Sequence, residues 1–342
     1  MATIYAIKGL ILEEVLLNLL RESGYNAIDA ARNDSTLRDG SSGLEVKGRG
    51  CNHQIDAIAD FTISPPFSYP IRLLLEAKFY QKNVGIEIVR NAVGVLKDVG
   101  EYWDVNNQNH FKSRYHYQYA IFTSSKFTTS AQRYAFAQDI YLIKLENNKY
   151  FKPIINEINN LDSTDFNGSA DNSINIELSE LRKNLRSSLK NREPNPMHQY
   201  QSEKLINIYE LSIELGASYI GVIGNCFPIF LTPSSAFNID DLIDDPMIRI
   251  CWDNYKWLIV KRSARCPTLD EDDILFSFDL PEELFKLYSE NNMLTNERAL
   301  DLKQDFMSTI QIIFRRNDSN IMSSLKLKLD HQWIEEIRNR IQ

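Results

Sequence analysis

The stretch LLLEAKFYQK, residues 73–82, carries two charged side chains in the middle of an apolar run. Successive side chains of a β-strand point to opposite faces, so Glu76 and Lys78 share one face while Leu75 and Ala77 occupy the other. A charge inside a buried strand is costly unless an opposite charge meets it. The stretch therefore predicts a strand whose acid and base act on one common ligand.

A second acid lies inside the preceding apolar segment, QIDAIADF, where Asp56 stands between Ile55 and Ala57. If the two strands form a hairpin across the turn SPPFSYP, Asp56 lies opposite Glu76 and the two carboxylates can share a cation. Divalent ions such as Mg²⁺ or Mn²⁺ take oxygen ligands and keep several waters, so these carboxylates and the carbonyl oxygen of the residue after Glu76 are predicted to hold one.

That carbonyl belongs to Ala77, which completes the predicted metal ligands on the strand. Lys78 is predicted to lie beside the attacking water, where its charge also stabilises the negative charge that builds on a phosphate.

Local periodicity predicts an α/β order for the first part of the chain. Residues 8–25, KGLILEEVLLNLLRESGY, have apolar side chains at helical spacing, and Gly24 suits the end of a helix. The segments that follow are predicted to be the strands GLEVKG, QIDAIADFTI and IRLLLEAKF, the helix VGIEIVRNAVGVLKDVGEYW, the strand YQYAIFTSS, the helix TTSAQRYAFAQ and the strand IYLIKL. Strands that alternate with helices indicate a sheet covered by helices.

Composition predicts three segments. Residues 1–155 form the α/β domain, residues 156–200 are rich in Asn, Asp and Ser and are predicted to be a linker or helical connector, and residues 201–342 form a second, α+β domain. The first segment contains 18 Lys and Arg against 16 Asp and Glu, whereas the rest of the chain contains 20 against 30. A DNA-facing surface is therefore predicted in the first segment.

These residues and elements resemble the PD-(D/E)XK nuclease superfamily and, within it, the Mrr-like restriction endonucleases. The segment from EAK into the next helix and the later strand, loop, helix and strand are similar to that family, and the resemblance covers residues 8–146. The first helix has the family's spacing of an acid after an apolar residue, a later Leu-Leu pair and a Gly-Tyr ending, here Leu12-Glu13, Leu19-Leu20 and Gly24-Tyr25. The chain departs from the family in having CNHQID where a Gly-rich turn is common, and Glu-Ala-Lys where Gln-x-Lys is common.

The resemblance implies a restriction-endonuclease-like core, a mixed central sheet flanked by helices, followed by the second α+β domain. It implies a Mg²⁺-dependent or Mn²⁺-dependent endonuclease that hydrolyses double-stranded DNA, with Asp56, Glu76 and Lys78 as catalytic residues. Glu13 is the implied acid of the first helix, reaching the metal through water. One site per chain suggests a homodimer or higher oligomer. By analogy of fold, the enzyme is expected to be a restriction or anti-phage defence effector whose residues 201–342 regulate it or dock a protein partner.

Four further residues are predicted to contact nucleic acid. Gln81 and Lys82 follow the core strand, where they can reach the DNA backbone. Lys126 and Thr128 lie in the loop SSKFTTS at the start of a helix, whose hydroxyls and amides suit a phosphate. Helix N-capping is the competing interpretation of that loop.

Structural alternatives exist for the other residues as well. Glu76 and Lys78 are also compatible with a plain ion pair at a sheet edge, and Glu13 with a favourable interaction with the helix dipole. His53, three residues before Asp56, is expected to be structural rather than a catalytic base. The four cysteines form no CxxC pair, which argues against a zinc site, and they are predicted to be ordinary thiols.

Two other functions remain open from the sequence. One is a non-catalytic DNA-binding or scaffold subunit of a larger defence or repair complex, and the other is a nuclease that stays inactive until a ligand or partner engages residues 201–342. No long apolar stretch is present and the start of the chain is interrupted by charged residues, so neither a membrane span nor a signal peptide is predicted and a cytoplasmic location is expected.

Overall fold

The computed structural model describes the whole chain except residues 1, 33, 41–42, 65–66, 81, 103–113, 147, 149–150, 167–173, 175, 216–218, 225–226, 235–236, 243–245, 254–255, 266–267, 281, 290–293, 316–321 and 342. The chain divides into two compact units, a first unit of residues 1–216 and a second unit of residues 217–342.

The first unit combines eight labelled strands with seven labelled helices among its described residues. The strands are β1 (Tyr25–Ile28), β2 (Leu37–Asp39), β3 (Leu44–Lys47), β4 (Asn52–Gln54), β5 (Ala57–Phe61), β6 (Ile71–Lys78), β7 (His116–Thr123) and β8 (Ile140–Lys144). The helices are α1 (Ile4–Glu22), α2 (Ile86–Gly100), α3 (Thr129–Ala137), α4 (Phe151–Asn160), α5 (Leu178–Asn191), α6 (Asn195–His198) and α7 (Glu203–Glu214).

The central sheet has five strands in the order β1-β5-β6-β7-β8. The pairs β1/β5 and β5/β6 are antiparallel, whereas β6/β7 and β7/β8 are parallel, so the sheet is mixed. Helix α1 packs against β1, β5 and β6, α2 packs against β7 and β8, and α3 packs against β8 and α2. The predicted fold class, a mixed sheet flanked by helices, is confirmed.

A separate sheet of three short strands has the order β2-β3-β4. Periodicity predicted β3, in GLEVKG, but did not predict β2 or β4 as separate strands. The stretch QIDAIADFTI was predicted to be one strand. It contains instead the end of β4, a bend at Asp56 and the strand β5. Ile55 still donates its N–H to the carbonyl of Leu44 in the small sheet, at 3.3 Å, while Ala57 already pairs with Leu75 in the central sheet. The chain therefore changes sheets at Asp56.

Helices α4, α5 and α7 all contact α1 and belong to the first unit. The segment 156–200, expected to be a linker or helical connector, contains α5, which buries Leu181, Leu185 and Leu189 at four-residue spacing. Those leucines give a polar segment an apolar stripe that packs onto a neighbour. Helix α7, expected to open the second domain, lies in the first unit for the same reason, since it buries Leu205 and other apolar residues.

The second unit is a closed barrel, in the order β10-β13-β12-β11-β15-β14-β9, with three labelled helices among its described residues. Its strands are β9 (Tyr219–Ile223), β10 (Phe227–Pro233), β11 (Met247–Asp253), β12 (Lys256–Lys261), β13 (Ile274–Phe278), β14 (Thr309–Arg315) and β15 (Met322–Leu329). Its helices are α8 (Glu282–Tyr288), α9 (Asn296–Phe306) and α10 (His331–Ile341). This barrel is the predicted second domain with strands and helices. Among all described residues, no helix is both long and apolar enough to cross a membrane.

The prediction that every cysteine is an ordinary thiol holds for Cys51, which is free and exposed, but it is wrong for Cys251, which is disulfide-bonded. Disulfide formation depends on which Cβ atoms the fold brings together, and sequence spacing does not give that distance.

Candidate active site

Asp56 reaches across from the bend before β5 to the core strand β6. Its Oδ2 accepts a hydrogen bond from the backbone N–H of Ala77 at 2.8 Å. The register supports this position, because Ala57 pairs with Leu75, so that Asp56 precedes the first pair on one strand and Glu76 follows it on the other. The geometry places Asp56 against the Glu-Ala-Lys triplet, as the hairpin argument predicts.

Glu76 and Lys78 lie on the same face of β6 and form an ion pair with each other. Both side chains are mostly buried, with 17% of each exposed. The second oxygen of Glu76, Oε2, accepts a hydrogen bond from the hydroxyl of Tyr119 on β7 at 3.0 Å. Each carboxylate oxygen of Glu76 is therefore held by a partner, which fixes the side-chain orientation.

The helix acid Glu13 lies on a cleft that Asp56 also lines. A pocket in the first unit is lined by Glu13, Leu17, Ile28, Asp29, Gly43, Leu44, Gln54, Ile55, Asp56, Ala57, Ile58, Arg182 and Arg186. Glu13 is thus close enough to Asp56 for the two charges to interact, while the adjacent Glu14 faces elsewhere.

Glu14 has a structural role instead. Only 1% of its side chain is exposed, and Arg186 of α5 binds both of its oxygens, with Nε to Oε2 at 2.8 Å and Nη2 to Oε1 at 2.6 Å. Arg182, one turn earlier on α5, donates from Nη1 to Glu14 Oε1 at 3.3 Å and from Nη2 to Glu13 Oε2 at 2.7 Å. Two arginines of α5 therefore hold the paired acids of α1.

The electrostatics of the site show an excess of buried negative charge. Burial, and then the charge of Glu76, raise the pKa of Asp56 to about 6. Burial, and then the charge of Asp56, raise the pKa of Glu13 to about 7, although Arg182 opposes this shift. Burial disfavours the ammonium of Lys78, but the carboxylate of Glu76 outweighs it and raises the pKa of Lys78. Raised carboxyl pKa values in a cleft are typical of a site built to receive a cation.

The predicted metal donors are close together but not yet convergent. The carboxylate oxygens of Glu13, Asp56 and Glu76 do not all lie within 4.8 Å of one another. They are held instead by Arg182, by the N–H of Ala77, and by Lys78 and Tyr119. All donors are oxygens, including the Ala77 carbonyl, so the set suits a hard divalent ion once these side chains rotate toward it.

The four residues predicted to contact nucleic acid differ in their exposure and in their contacts. Lys82 and Lys126 are exposed on adjacent loops, joined where Val84 donates to the carbonyl of Lys126 at 2.7 Å. Lys126 also lies 4.0 Å from Glu146. Thr128 caps α3, since its hydroxyl accepts from the N–H of Ala131 at 3.3 Å, as the competing interpretation expects. Gln81 lies outside the described residues.

Two residues of the site were not found from the sequence. Tyr119 stands in the predicted strand YQYAIFTSS and is buried, but only the parallel pairing of β6 and β7 brings its hydroxyl to Glu76. Arg182 lies in the segment predicted to be a connector, and the four-residue leucine spacing beside it was the available signal.

A match to a family model supports the same domain. A family model described as a restriction endonuclease, Mrr_cat, matches residues 4–147, so the resemblance to Mrr-like PD-(D/E)XK nucleases is confirmed for this part of the chain. A crystal structure described as a protein of unknown function, AF1548, is 18% identical, covers 61% of this chain and 94% of its own, and has a TM-score of 0.31. The search of curated proteins gave no match.

Proposed function

We propose that this chain, whose residues 4–147 form an Mrr-like restriction endonuclease domain, is a divalent-metal-dependent endonuclease that hydrolyses phosphodiester bonds of double-stranded DNA. The observation that carries the proposal is the contact of Asp56 with the backbone of Ala77, beside the Glu76–Lys78 pair. This contact joins the acid at the bend before β5 to the strand that carries Glu76 and Lys78, inside the segment that matches the nuclease family.

The residues present fit a Mg²⁺ or Mn²⁺ ion. Asp56, Glu76 and the carbonyl oxygen of Ala77 would hold it, with Glu13 in the outer shell. The raised pKa values of Asp56 and Glu13 indicate that their negative charge is insufficiently compensated by the protein alone. When bound, the ion supplies Lewis-acid polarisation of the phosphodiester and charge stabilisation in the transition state.

The chain's own residues position the reactants. Lys78, held by Glu76, donates to the attacking water and to a non-bridging phosphate oxygen, and its charge stabilises the negative charge that develops there. Tyr119 keeps Glu76 in one orientation by donating to Oε2. Water attacks phosphorus in line and releases a proton to solvent. One P–O bond forms as the bond to the leaving oxygen breaks, and the leaving oxygen takes up a proton from solvent.

The DNA contacts and the assembly are further parts of the proposal. Lys82 and Lys126 are exposed beside the end of β6 that carries Lys78, so they are suited to the DNA backbone. Cleavage of both strands by one site per chain favours a homodimer. An effector role in defence against phage or plasmid DNA, with the second unit regulating the nuclease or docking a partner, is the biological setting that we propose.

A second candidate is a non-catalytic DNA-binding or scaffold subunit that retains the nuclease fold. The observation that favours it is the ion pair of Lys78 with Glu76, together with the separation of the predicted donors, which is also what a structural cluster would look like. Against it, a scaffold gains nothing from burying Asp56 and Glu13 with raised pKa values, because that arrangement costs stability.

The test is cleavage of supercoiled plasmid by the full chain with Mg²⁺, Mn²⁺ or EDTA. Glu76→Ala and Lys78→Ala are compared with the matched controls Glu180→Ala and Lys152→Ala, which remove exposed charges from α5 and α4. We expect metal-dependent nicking or linearisation by the wild type and both controls, and a loss of at least about 100-fold in the two site variants.

Cleavage that persists in Glu76→Ala and Lys78→Ala would exclude this site as the catalytic one. Metal-independent binding of DNA without cleavage, by a natively folded wild type, would favour the scaffold. Slow cleavage that needs Mn²⁺ and a high protein concentration, and that Glu76→Ala abolishes, would indicate a gated nuclease.

A further inference from the structure

A second cluster of metal-ligating side chains lies outside the proposed active site. It consists of Cys51 and His53, which flank the start of β4, and Asp98 near the end of α2. Among the described residues, these form the one set of three His, Cys, Asp or Glu side chains whose ligand atoms all lie within 4.8 Å of one another. The mechanism above uses none of them.

The turn between β3 and β4 is built around the carboxylate of Asp98. Gly50 donates its N–H to Oδ1 at 2.8 Å and Cys51 donates its N–H to Oδ2 at 3.3 Å. The backbone carbonyl of Asp98 accepts from the N–H of Arg49 at 3.0 Å. A Cβ at Gly48 would come within 2.0 Å of Asp98 Oδ2, so a glycine is required for this approach. The turn is therefore shaped to receive the carboxylate and to fix its position.

The three ligand atoms converge on one point. His53 Nε2 lies 2.7 Å from Asp98 Oδ2 and 3.5 Å from Cys51 Sγ. In a catalytic Cys-His-Asp relay, the sulfur and the carboxylate would contact opposite ring nitrogens of the histidine. One nitrogen would receive the thiol proton, and the carboxylate would orient the ring through the other nitrogen. Here the sulfur of Cys51 lies nearer to Nε2, at 3.5 Å, than to Nδ1, at 4.0 Å, so Cys51 and Asp98 are both closest to the same ring nitrogen, as ligands of a shared ion would be.

We propose that Cys51, His53 and Asp98 form a site for a borderline-soft transition metal, Zn²⁺, with solvent as the fourth ligand. Tetrahedral Zn–S, Zn–N and Zn–O bonds separate the ligand atoms by about 3.3–3.6 Å. The sulfur-to-nitrogen distance already fits, and the nitrogen-to-oxygen distance opens by about 0.6 Å when the ion replaces the hydrogen bond. A thiolate and an imidazole select this class of metal over the Mg²⁺ expected at the oxygen-only cleft.

Binding has a defined proton balance. Cys51 releases its thiol proton to solvent as the Zn–S bond forms, and His53 offers Nε2 as a lone pair in the tautomer that carries its proton on Nδ1. Cys51 is exposed and free, so the thiol is accessible to the ion. The bound ion would join β4 to α2 and hold the segment that leads, three residues after His53, to Asp56.

The test is a Co²⁺ titration of the full, metal-free chain in anaerobic buffer without added thiols. Cobalt bound to a thiolate gives a charge-transfer band in the near ultraviolet, whereas cobalt at the oxygen donors of the cleft does not. We expect a band that saturates at one Co²⁺ per chain and disappears when Zn²⁺ is added.

Two variants at the site and two control variants define it. Cys51→Ser should abolish the band, and His53→Gln should weaken Co²⁺ binding by about 10-fold or more. Glu101→Gln, which removes an exposed acid paired with Arg49 at the end of the same helix, is the matched control and should leave the band unchanged. Glu76→Ala should also leave it unchanged, which separates this site from the proposed active site.

Zn²⁺ should raise the melting temperature of the wild type and of Glu101→Gln but not of Cys51→Ser. Absence of a thiolate band in a natively folded wild type would overturn the proposal. A band of full intensity in Cys51→Ser would also overturn it, since the thiolate would then belong to another cysteine.

Discussion

Arg182 donates a hydrogen bond from Nη2 to Oε2 of Glu13 at 2.7 Å, so a helix beyond the family-matched segment reaches the acid of the first helix. Residues 4–147 carry the nuclease motif, but Arg182 belongs to α5, which is packed on α1. The charge balance of the cleft is therefore set partly by residues that lie outside the matched domain.

Replacement of Arg182 by glutamine should tighten the binding of a divalent ion at the cleft. Arg182 lowers the pKa of both Glu13 and Asp56, so it compensates negative charge that would otherwise attract the cation. Partly exposed charges at this separation contribute on the order of 1 kcal/mol, which corresponds to a decrease of about 5-fold in the Kd for Mn²⁺. Isothermal titration with Mn²⁺ measures it. An unchanged or larger Kd would show that Arg182 does not compete with the ion.

Replacement of Arg186 by glutamine should destabilise the first unit without tightening metal binding. Arg186 makes two hydrogen bonds to Glu14, whose side chain is only 1% exposed, and the substitution removes this ion pair from the buried carboxylate. Removing one partner of a buried ion pair lowers the free energy of unfolding by about 3 kcal/mol. Urea denaturation followed by circular dichroism measures the loss.

The matched control for Arg186 is Arg192→Gln on the following turn. Arg192 is 63% exposed and lies 3.6 Å from Glu22, and an exposed pair of this kind contributes less than about 1 kcal/mol. Equal destabilisation by the two variants would contradict the assignment of Glu14 as the buried partner.

Local periodicity was enough to predict the elements that carry the site. The apolar spacing of α1 and the alternation in β6 depend on neighbours within one element, and both appear where the sequence places them. The bend at Asp56 was not predicted, because an apolar run that leaves one sheet and enters another has the same alternation as a single strand. The transfer is visible only in the pairing partners.

Contacts between distant segments explain the other differences. The cysteines form no CxxC pair, but their spacing does not reveal that Cys51 meets Asp98, which lies 47 residues away, through the turn of a small sheet. Polar composition likewise concealed the packing of α5 on α1, although the stripe of Leu181, Leu185 and Leu189 was present in the sequence. Composition measures average polarity, whereas packing depends on which face the apolar residues share.

Removal of one hydroxyl, in Tyr119→Phe, should weaken the active site while leaving the fold intact. The hydroxyl of Tyr119 donates to Glu76 Oε2 at 3.0 Å, and phenylalanine keeps the ring that fills the core. Loss of a partner that orients a metal-binding carboxylate lowers metal affinity or activity by roughly 10-fold or more. Plasmid cleavage as a function of Mn²⁺ concentration measures the change.

Tyr117→Phe is the matched control for Tyr119, because it removes a hydroxyl from the same strand two residues earlier, beside Arg72 rather than Glu76. It should retain wild-type metal dependence. Equal losses in the two variants would indicate a general effect of the strand rather than orientation of Glu76.

Lys303→Met should stabilise the second unit at neutral pH, by an amount that decreases at high pH. Lys303 of α9 is buried, with its ammonium 5.8 Å from the ring of Trp257 and 5.3 Å from that of Trp333, and burial lowers its pKa to about 8. The folded chain therefore binds fewer protons here than the unfolded chain between about pH 8 and pH 10.5, so wild-type stability rises with pH across that window. Below pH 8 the ammonium of Lys303 stays charged in the folded chain, and the full free-energy cost of burying it destabilises the fold. Since the two indole rings offset part of that cost, methionine should gain on the order of 2 kcal/mol at pH 7 and most of the gain should vanish near pH 10.

Urea unfolding followed by tryptophan fluorescence at both pH values measures it, with the exposed Lys261→Met of β12 as a control that should change little at either. Destabilisation by Lys303→Met at pH 7 would mean that the aromatic contacts outweigh desolvation and that the ammonium contributes to the stability of the barrel.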